Sequence, residues 1–93
     1  MINFTGQNRT VKKLLLEATN FIDSKYDAQR QRINFTEFIE RNEFELAFDS
    51  LLELSDEVEE CFEYGFWMNL KQAAVIMKLI NQERRIDQEI SDF

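Results

Sequence analysis

The residues of this chain with the most potential for chemistry are the carboxylates between positions 43 and 63. That segment contains nine Asp or Glu residues and no Lys or Arg, in a chain whose net charge is −7. Five of them advance by four, four, three and four residues, the spacing of one α-helical face: Glu45, Asp49, Glu53, Asp56 and Glu60. Such groups can catalyse hydrolysis, bind a cation or attract a basic protein.

Catalysis requires surroundings that this pattern does not provide. A glycosidase holds two carboxyl groups in a cleft whose environment separates their pKa values, whereas one exposed helical stripe gives its members no such difference. The chain has no histidine, the commonest general base. Its single cysteine, Cys61, has no basic neighbour in sequence and is interpreted as a packing residue. We therefore expect a protein that is not an enzyme.

Metal and cofactor sites are excluded by residue type. Helical di-iron sites use Glu-x-x-His pairs, which need histidine. One cysteine forms neither a disulfide within the chain nor a multi-cysteine zinc site. The acidic run at 56–60 lacks the central glycine of a calcium loop. The sequence predicts no metal and no cofactor.

Basic residues are concentrated in the first part of the chain. Residues 1–42 have a net charge of +2, and their candidate basic patch comprises Lys12, Lys13, Lys25, Arg30 and Arg32. The acidic segment would repel phosphates, which argues against nucleic acid as a partner. We expect the basic residues to pair with the acidic segment instead, within the fold or between copies.

Membrane association is also not expected. No apolar run approaches the roughly 18 residues that span a bilayer, and the apolar helix near the end of the chain lacks a basic polar face. The first residues show neither a basic start nor an apolar signal core. These features predict a cytoplasmic protein.

The composition favours helices in a single domain, residues 1–93. Proline is absent and glycine occurs twice, whereas sheet-rich folds with many tight turns usually need more of both. Apolar periodicity predicts long helices at about 10–24, 43–61 and 69–80, with a polar continuation of the last, and a short helix near 35–39 that ends at Asn42. For the polar stretch 25–34, a loop and a helical continuation both remain open.

The predicted architecture is all-α: a small antiparallel bundle of three long helices and one short helix. Residues 62–68 are expected to form a connection in which Gly65 supplies a positive φ. The final helix is apolar over most of its circumference. This predicts either a central position or a homodimer interface through Val75, Ile76 or Leu79.

Two stretches of the chain form a recognisable pattern. The first is an apolar helix end, an Asn-Glu break and an acidic, leucine-rich helix: Phe38-Ile39-Glu40-Arg41-Asn42-Glu43-Phe44-Glu45-Leu46-Ala47-Phe48-Asp49-Ser50-Leu51-Leu52. The second is Phe66-Trp67-x-x-Leu70-x-x-Ala73-Ala74-x-x-Met77. Over roughly residues 34–80, about half of the chain, the pattern resembles small bacterial toxin-immunity proteins of the MafI type and of contact-dependent growth inhibition systems.

The resemblance implies a protein that binds and neutralises one cognate toxin, commonly a nuclease. The residues suit that role independently, because an acidic helix face complements the basic cleft of a nuclease. Specificity would need buried anchors, for which the adjacent aromatic residues are candidates, although packing in the core is the better interpretation of Trp67. The predicted partner-binding residues are Glu45, Asp49, Glu53, Asp56, Glu57, Glu60, Tyr64, Phe66 and Trp67.

A second interpretation is a small acidic helical adaptor or regulator that binds another cytoplasmic protein. The position of the gene distinguishes the two. An immunity gene should directly follow a gene for a large secreted protein with a variable, basic C-terminal domain.

Overall fold

A computed structural model describes residues 5–58 and 61–93 of the chain. Within these ranges the protein is all-helical, with no strand. The five α-helices are α1 (Thr5–Thr19), α2 (Arg30–Glu40), α3 (Phe44–Glu57), α4 (Tyr64–Met77) and α5 (Ile80–Ser91). A 3₁₀ helix, Ser24–Tyr26, lies between α1 and α2. The all-α prediction is confirmed, but the arrangement of three long helices and one short helix is not.

One apolar core joins the helices. The main contacts are α1 with α4, α2 with α3, and α4 with α5, and α1 makes a smaller contact with α3. The largest fully buried side chains come from all five α-helices: Phe35, Phe48, Phe66, Leu15, Leu51, Leu54, Leu70, Ile86 and Val11. Because every helix contributes to the same cluster, burial of this cluster fixes where the surface residues lie.

Helix α1 begins and ends earlier than the predicted span of 10–24. After Thr19 the amides of Asn20, Phe21 and Ile22 each bond to the carbonyl three residues back, which tightens the chain out of the α-helix. The Asp23 carboxylate then accepts a hydrogen bond from the Lys25 amide at 2.9 Å. This local bond competes with a continuous helix. The stretch 25–34 is therefore the 3₁₀ helix, a turn and the start of α2.

The α2–α3 and α4–α5 connections have the same geometry. Asn42 and Lys78 both adopt the left-handed conformation, with φ of 58° and 59°. The amide of the following residue reaches back five positions in each case, from Glu43 to Phe38 and from Leu79 to Ala74, at 2.9 Å. This is the Schellman arrangement that ends a helix. The predicted break at Asn42 is confirmed.

The prediction of one final helix from about residue 69 is wrong at both ends. Helix α4 begins at Tyr64, so Phe66 and Trp67 belong to its first turns instead of a connection. It ends at Met77, Lys78 turns the chain out of the helix, and the polar remainder forms a separate helix, α5. Ile86 of α5 is completely buried, so this polar segment packs onto the core as a helix of its own.

Gly65 serves close packing instead of a turn. It lies in α4, and no glycine among the described residues has a positive φ. A Cβ atom at this position would lie closer to the ring of Phe21 than van der Waals contact permits. The missing side chain therefore lets the segment after α1 approach the start of α4.

Candidate functional site

The outward side of α3 carries a row of carboxylates, here called the acid face: Glu45, Asp49 and Glu53. The opposite side of the helix packs into the core through Ala47, Phe48, Leu51 and Leu54, all fully buried. Glu45 and Glu53 are exposed, and Asp49 between them is half-buried. The successive spacing of four residues places each carboxylate one helical turn from the next.

None of the acid-face carboxylates has a cationic partner among the described residues. The ion pairs that the described part of the chain forms use other groups: Lys71 Nζ lies 2.7 Å from Asp87 Oδ1, and Arg85 bonds to Asp56. Partial burial raises the pKa of the Asp49 carboxyl, and the charges of Glu45 and Glu53 raise it further. Burial and the neighbouring carboxylates on the acid face therefore disfavour the charged form of Asp49.

Asp56 and Glu57 differ from the acid face and from each other. The Asp56 carboxylate accepts a hydrogen bond from the Arg85 guanidinium, so α5 supplies part of its countercharge. Glu57 is exposed at the end of α3, where Val58 turns to extended backbone. Glu60 lies outside the described residues. The predicted carboxylate row is thus one unpaired face followed by one paired group.

Two depressions lie between α3 and α5, on either side of the Asp56–Arg85 pair, and both residues line each of them. The first, here called the groove, has a volume of about 390 Å³ and is lined by Asp49, Leu52, Glu53, Asp56, Asn81, Gln82 and Arg85. The second, here called the cleft, has a volume of about 240 Å³ and is lined by Ser55, Asp56, Cys61, Phe62, Trp67, Arg85, Glu89, Asp92 and Phe93. The acid face therefore borders a concave surface.

The three aromatic candidates are placed differently. Phe66 is fully buried and Trp67 is 5 % exposed, so both fill the core. The Trp67 ring stacks edge-on against Phe66, with centroids 5.0 Å apart, and forms part of the cleft wall. Tyr64 is 49 % exposed and meets Phe93 edge-on at 5.6 Å. Of the three, Tyr64 lies on the open surface, and Trp67 can be reached only through the cleft.

Helix α5 contributes site residues that the sequence reasoning missed. Arg85, Glu89 and Asp92 all line the cleft, and their spacing of four and three residues puts them on one helical face. The sequence shows that spacing. It does not show that these residues lie beside α3, because the predicted continuous final helix gave no reason to place them there.

Among the described residues, the predicted pairing with the acidic segment is not seen for Lys12, Lys13, Arg30 or Arg32. Arg9, Lys12 and Lys13 of α1, here called the basic face, form no ion pair among the described residues, and neither does Arg30. Arg32 packs over the Phe35 ring and donates a hydrogen bond to the Thr36 hydroxyl at 3.0 Å. Among the described residues, the acid face and the basic face therefore form no ion pair with each other.

The residues predicted to form a homodimer interface lie near the α4–α5 turn. Val75 is exposed, whereas Ile76 and Leu79 are half-buried against the core. Ile80 adds a second exposed apolar side chain. A second copy contacting this surface remains a prediction.

Over the described ranges, no cluster of three or more Cys, Asp or Glu residues has the geometry to hold a metal ion. No helix in that part of the chain combines the length and apolar character that crossing a bilayer requires. Comparisons with protein families, curated proteins and solved structures found no match for this chain.

Proposed function

We propose that this protein is a cytoplasmic immunity protein that binds a basic toxin domain, most simply a nuclease, through the acid face of α3. The observation that carries the proposal is the unpaired row of Glu45, Asp49 and Glu53 beside the groove. Tyr64 adds an exposed aromatic contact. In this role the protein has no catalytic activity of its own.

The energetic argument is that the acid face costs stability. Like charges four residues apart destabilise a helix by about 0.2–0.5 kcal/mol per pair, and Asp49 is also partly withdrawn from water. The core of α3 does not need these groups, because its apolar side already packs against α2. A partner with complementary charge would offset the cost on binding.

The same charges favour rapid capture. A carboxylate row steers a basic partner and raises the association rate constant toward 10⁸–10⁹ M⁻¹s⁻¹, roughly the upper range for steered encounters. An inhibitor must reach a toxic nuclease before it acts on nucleic acid. The negative charge of an acidic helix face can also occupy the basic cleft in which a nuclease binds the phosphates of its substrate.

The second candidate is an acidic adaptor that binds another cytoplasmic protein. It uses the same face, and it is favoured if the gene stands alone or beside a transcription factor gene. A gene position directly after that of a large secreted protein with a basic C-terminal domain favours the immunity role.

Growth rescue tests the proposal. Where the gene directly follows one for a large secreted protein with a basic C-terminal domain, that domain is co-expressed with this protein and colony survival is counted. Wild-type protein should restore growth. The triple substitution Glu45→Lys, Asp49→Lys and Glu53→Lys should abolish rescue while the helical circular dichroism signal is retained.

The matched control reverses three other carboxylates, Glu17→Lys, Glu37→Lys and Glu40→Lys. Its net charge is identical to that of the acid-face variant, but its changes lie on α1 and α2. Rescue should persist. Loss of rescue in both variants would mean that overall charge, and not the acid face, is responsible.

A further inference from the structure

The cleft combines an aromatic wall with a charged rim. Phe62 and Trp67 line it and are nearly buried, at 6 % and 5 % exposure. Phe62 and Trp67 each stack edge-on against Phe66, with centroid separations of 4.6 and 5.0 Å. The wall is therefore held rigid by the core, so a group that enters meets a preformed apolar surface.

The rim of the cleft is acidic overall. Asp56, Glu89 and Asp92 supply three carboxylates, and Arg85 supplies one guanidinium, which is bound to Asp56. The side-chain carboxylates of Glu89 and Asp92 have no ion-pair or hydrogen-bond partner among the described residues, and the two residues are joined only by a backbone hydrogen bond. The carboxylates of Glu89 and Asp92 are therefore available to bind a cation. The rim already binds one guanidinium, that of Arg85, through Asp56.

The size of the cleft limits its occupant. Its volume of about 240 Å³ lies below the roughly 300–1,000 Å³ of pockets that enclose drug-sized ligands. One long side chain suits this space. A cationic side chain with a planar or extended stem satisfies both surfaces, because it stacks on an indole ring and reaches the carboxylates.

We propose that the cleft is a specificity pocket for a single basic side chain, an arginine, of the protein partner. The guanidinium packs against Trp67 and pairs with Glu89 and Asp92, while Arg85 stays on Asp56. This inference rests on the proposed function, and it adds a partner contact that lies outside the acid face. Charge complementarity alone discriminates weakly between basic partners, whereas a shaped pocket selects one side chain at one position.

Tryptophan fluorescence tests the pocket directly, because Trp67 is the only tryptophan in the chain. The protein is titrated with N-acetyl-arginine amide and, separately, with N-acetyl-citrulline amide, which has the same shape without the charge. The arginine compound should give a saturable change in emission in the millimolar range, and the citrulline compound should give none. Free N-acetyl-tryptophan amide corrects for collisional quenching.

The double variant Glu89→Gln and Asp92→Asn should weaken binding of the arginine compound about tenfold. The matched variant Glu37→Gln and Glu40→Gln removes two carboxylates on α2 and should bind as the wild type does. An equal response to both compounds, an unsaturable response, or unchanged binding in the double variant would overturn the inference. The titration contains no toxin domain, so its failure is separate from a failure of growth rescue.

Discussion

The acid face of α3 and the basic face of α1 have the same spacing of like charges but differ in the charge that follows. In each, like charges stand four residues apart: Asp49 follows Glu45, and Lys13 follows Arg9. On α1 the next turn brings an opposite charge, Glu17, whereas on α3 it brings another carboxylate, Glu53. The basic face is therefore followed on its own helix by an opposite charge, although no ion pair joins them, whereas the acid face continues with the same sign of charge.

This difference indicates where a function is to be sought. A surface helix that serves only solubility normally mixes both signs of charge, as α1 does. The acid face keeps one sign over three turns and places its central carboxylate where burial raises that group's pKa. Asp56, one turn further, is already paired with Arg85. Two of the three acid-face carboxylates, Asp49 and Glu53, thus line the groove.

Salt dependence of association should separate the two faces most strongly. Raising the ionic strength from about 50 mM to about 500 mM shortens the screening length severalfold, so association of the wild-type protein with the basic toxin domain should slow by about ten- to a hundredfold. Stopped-flow kinetics measures this. The variant Arg9→Glu, Lys12→Glu and Lys13→Glu should keep the salt dependence, and its loss there would contradict the assignment to α3.

Neutralising the centre of each face should change stability unequally. Asp49→Asn removes two unfavourable pairs and should raise the free energy of unfolding by about 0.4–1 kcal/mol. Lys13→Gln removes one unfavourable and one favourable pair, so its effect should stay within about 0.3 kcal/mol. Urea denaturation at neutral pH measures both. A destabilised Asp49→Asn protein would show that Asp49 has a stabilising partner.

The stabilisation by Asp49→Asn should disappear in acid. The folded-state pKa of Asp49 lies above its ordinary value of 3.8, so the folded protein binds its proton at higher pH than the unfolded chain does. The wild type therefore loses stability at this site as the pH rises through that window and regains it as the pH falls. Unfolding curves of wild type and variant should converge below about pH 3.8. A constant difference between them across the pH range would remove the electrostatic explanation.

The paired end of α3 should respond in the opposite direction. Arg85→Gln removes an exposed ion pair between α5 and α3, and such pairs contribute about 0.2–1 kcal/mol. Thermal unfolding should show a small decrease in stability, of opposite sign to the effect of Asp49→Asn. An increase in thermal stability would show that the contact with Arg85 does not stabilise the protein, and that Asp56 behaves like the unpaired carboxylates.

The two left-handed turns show what the sequence could and could not predict. Asn42 marked its turn because asparagine tolerates positive φ. Lys78 carries no such signal, and the left-handed conformation costs a residue of this kind about 1–2 kcal/mol. Packing of Leu79 against the core accompanies that turn. Tertiary contacts therefore set the boundary between α4 and α5, and no local sequence pattern predicts it.

The candidate site divides in the same way. The spacing of Glu45, Asp49 and Glu53 depends only on helix geometry, so the row on α3 was predictable. The Asp56–Arg85 contact joins residues 29 positions apart, and it could be placed only once α4 and α5 were known to be separate. The cleft depends on that same arrangement, so it was missed entirely.

The most direct measurement of the central claim is the affinity of two charge-matched variants for the basic toxin domain, determined by isothermal titration calorimetry. The acid-face variant, with lysine at positions 45, 49 and 53, should bind at least about a hundredfold more weakly than wild type, since like-charge juxtaposition costs several kcal/mol. The control with lysine at positions 17, 37 and 40 should stay within about tenfold of it. Equal weakening in both variants would contradict the claim that α3 is the binding face.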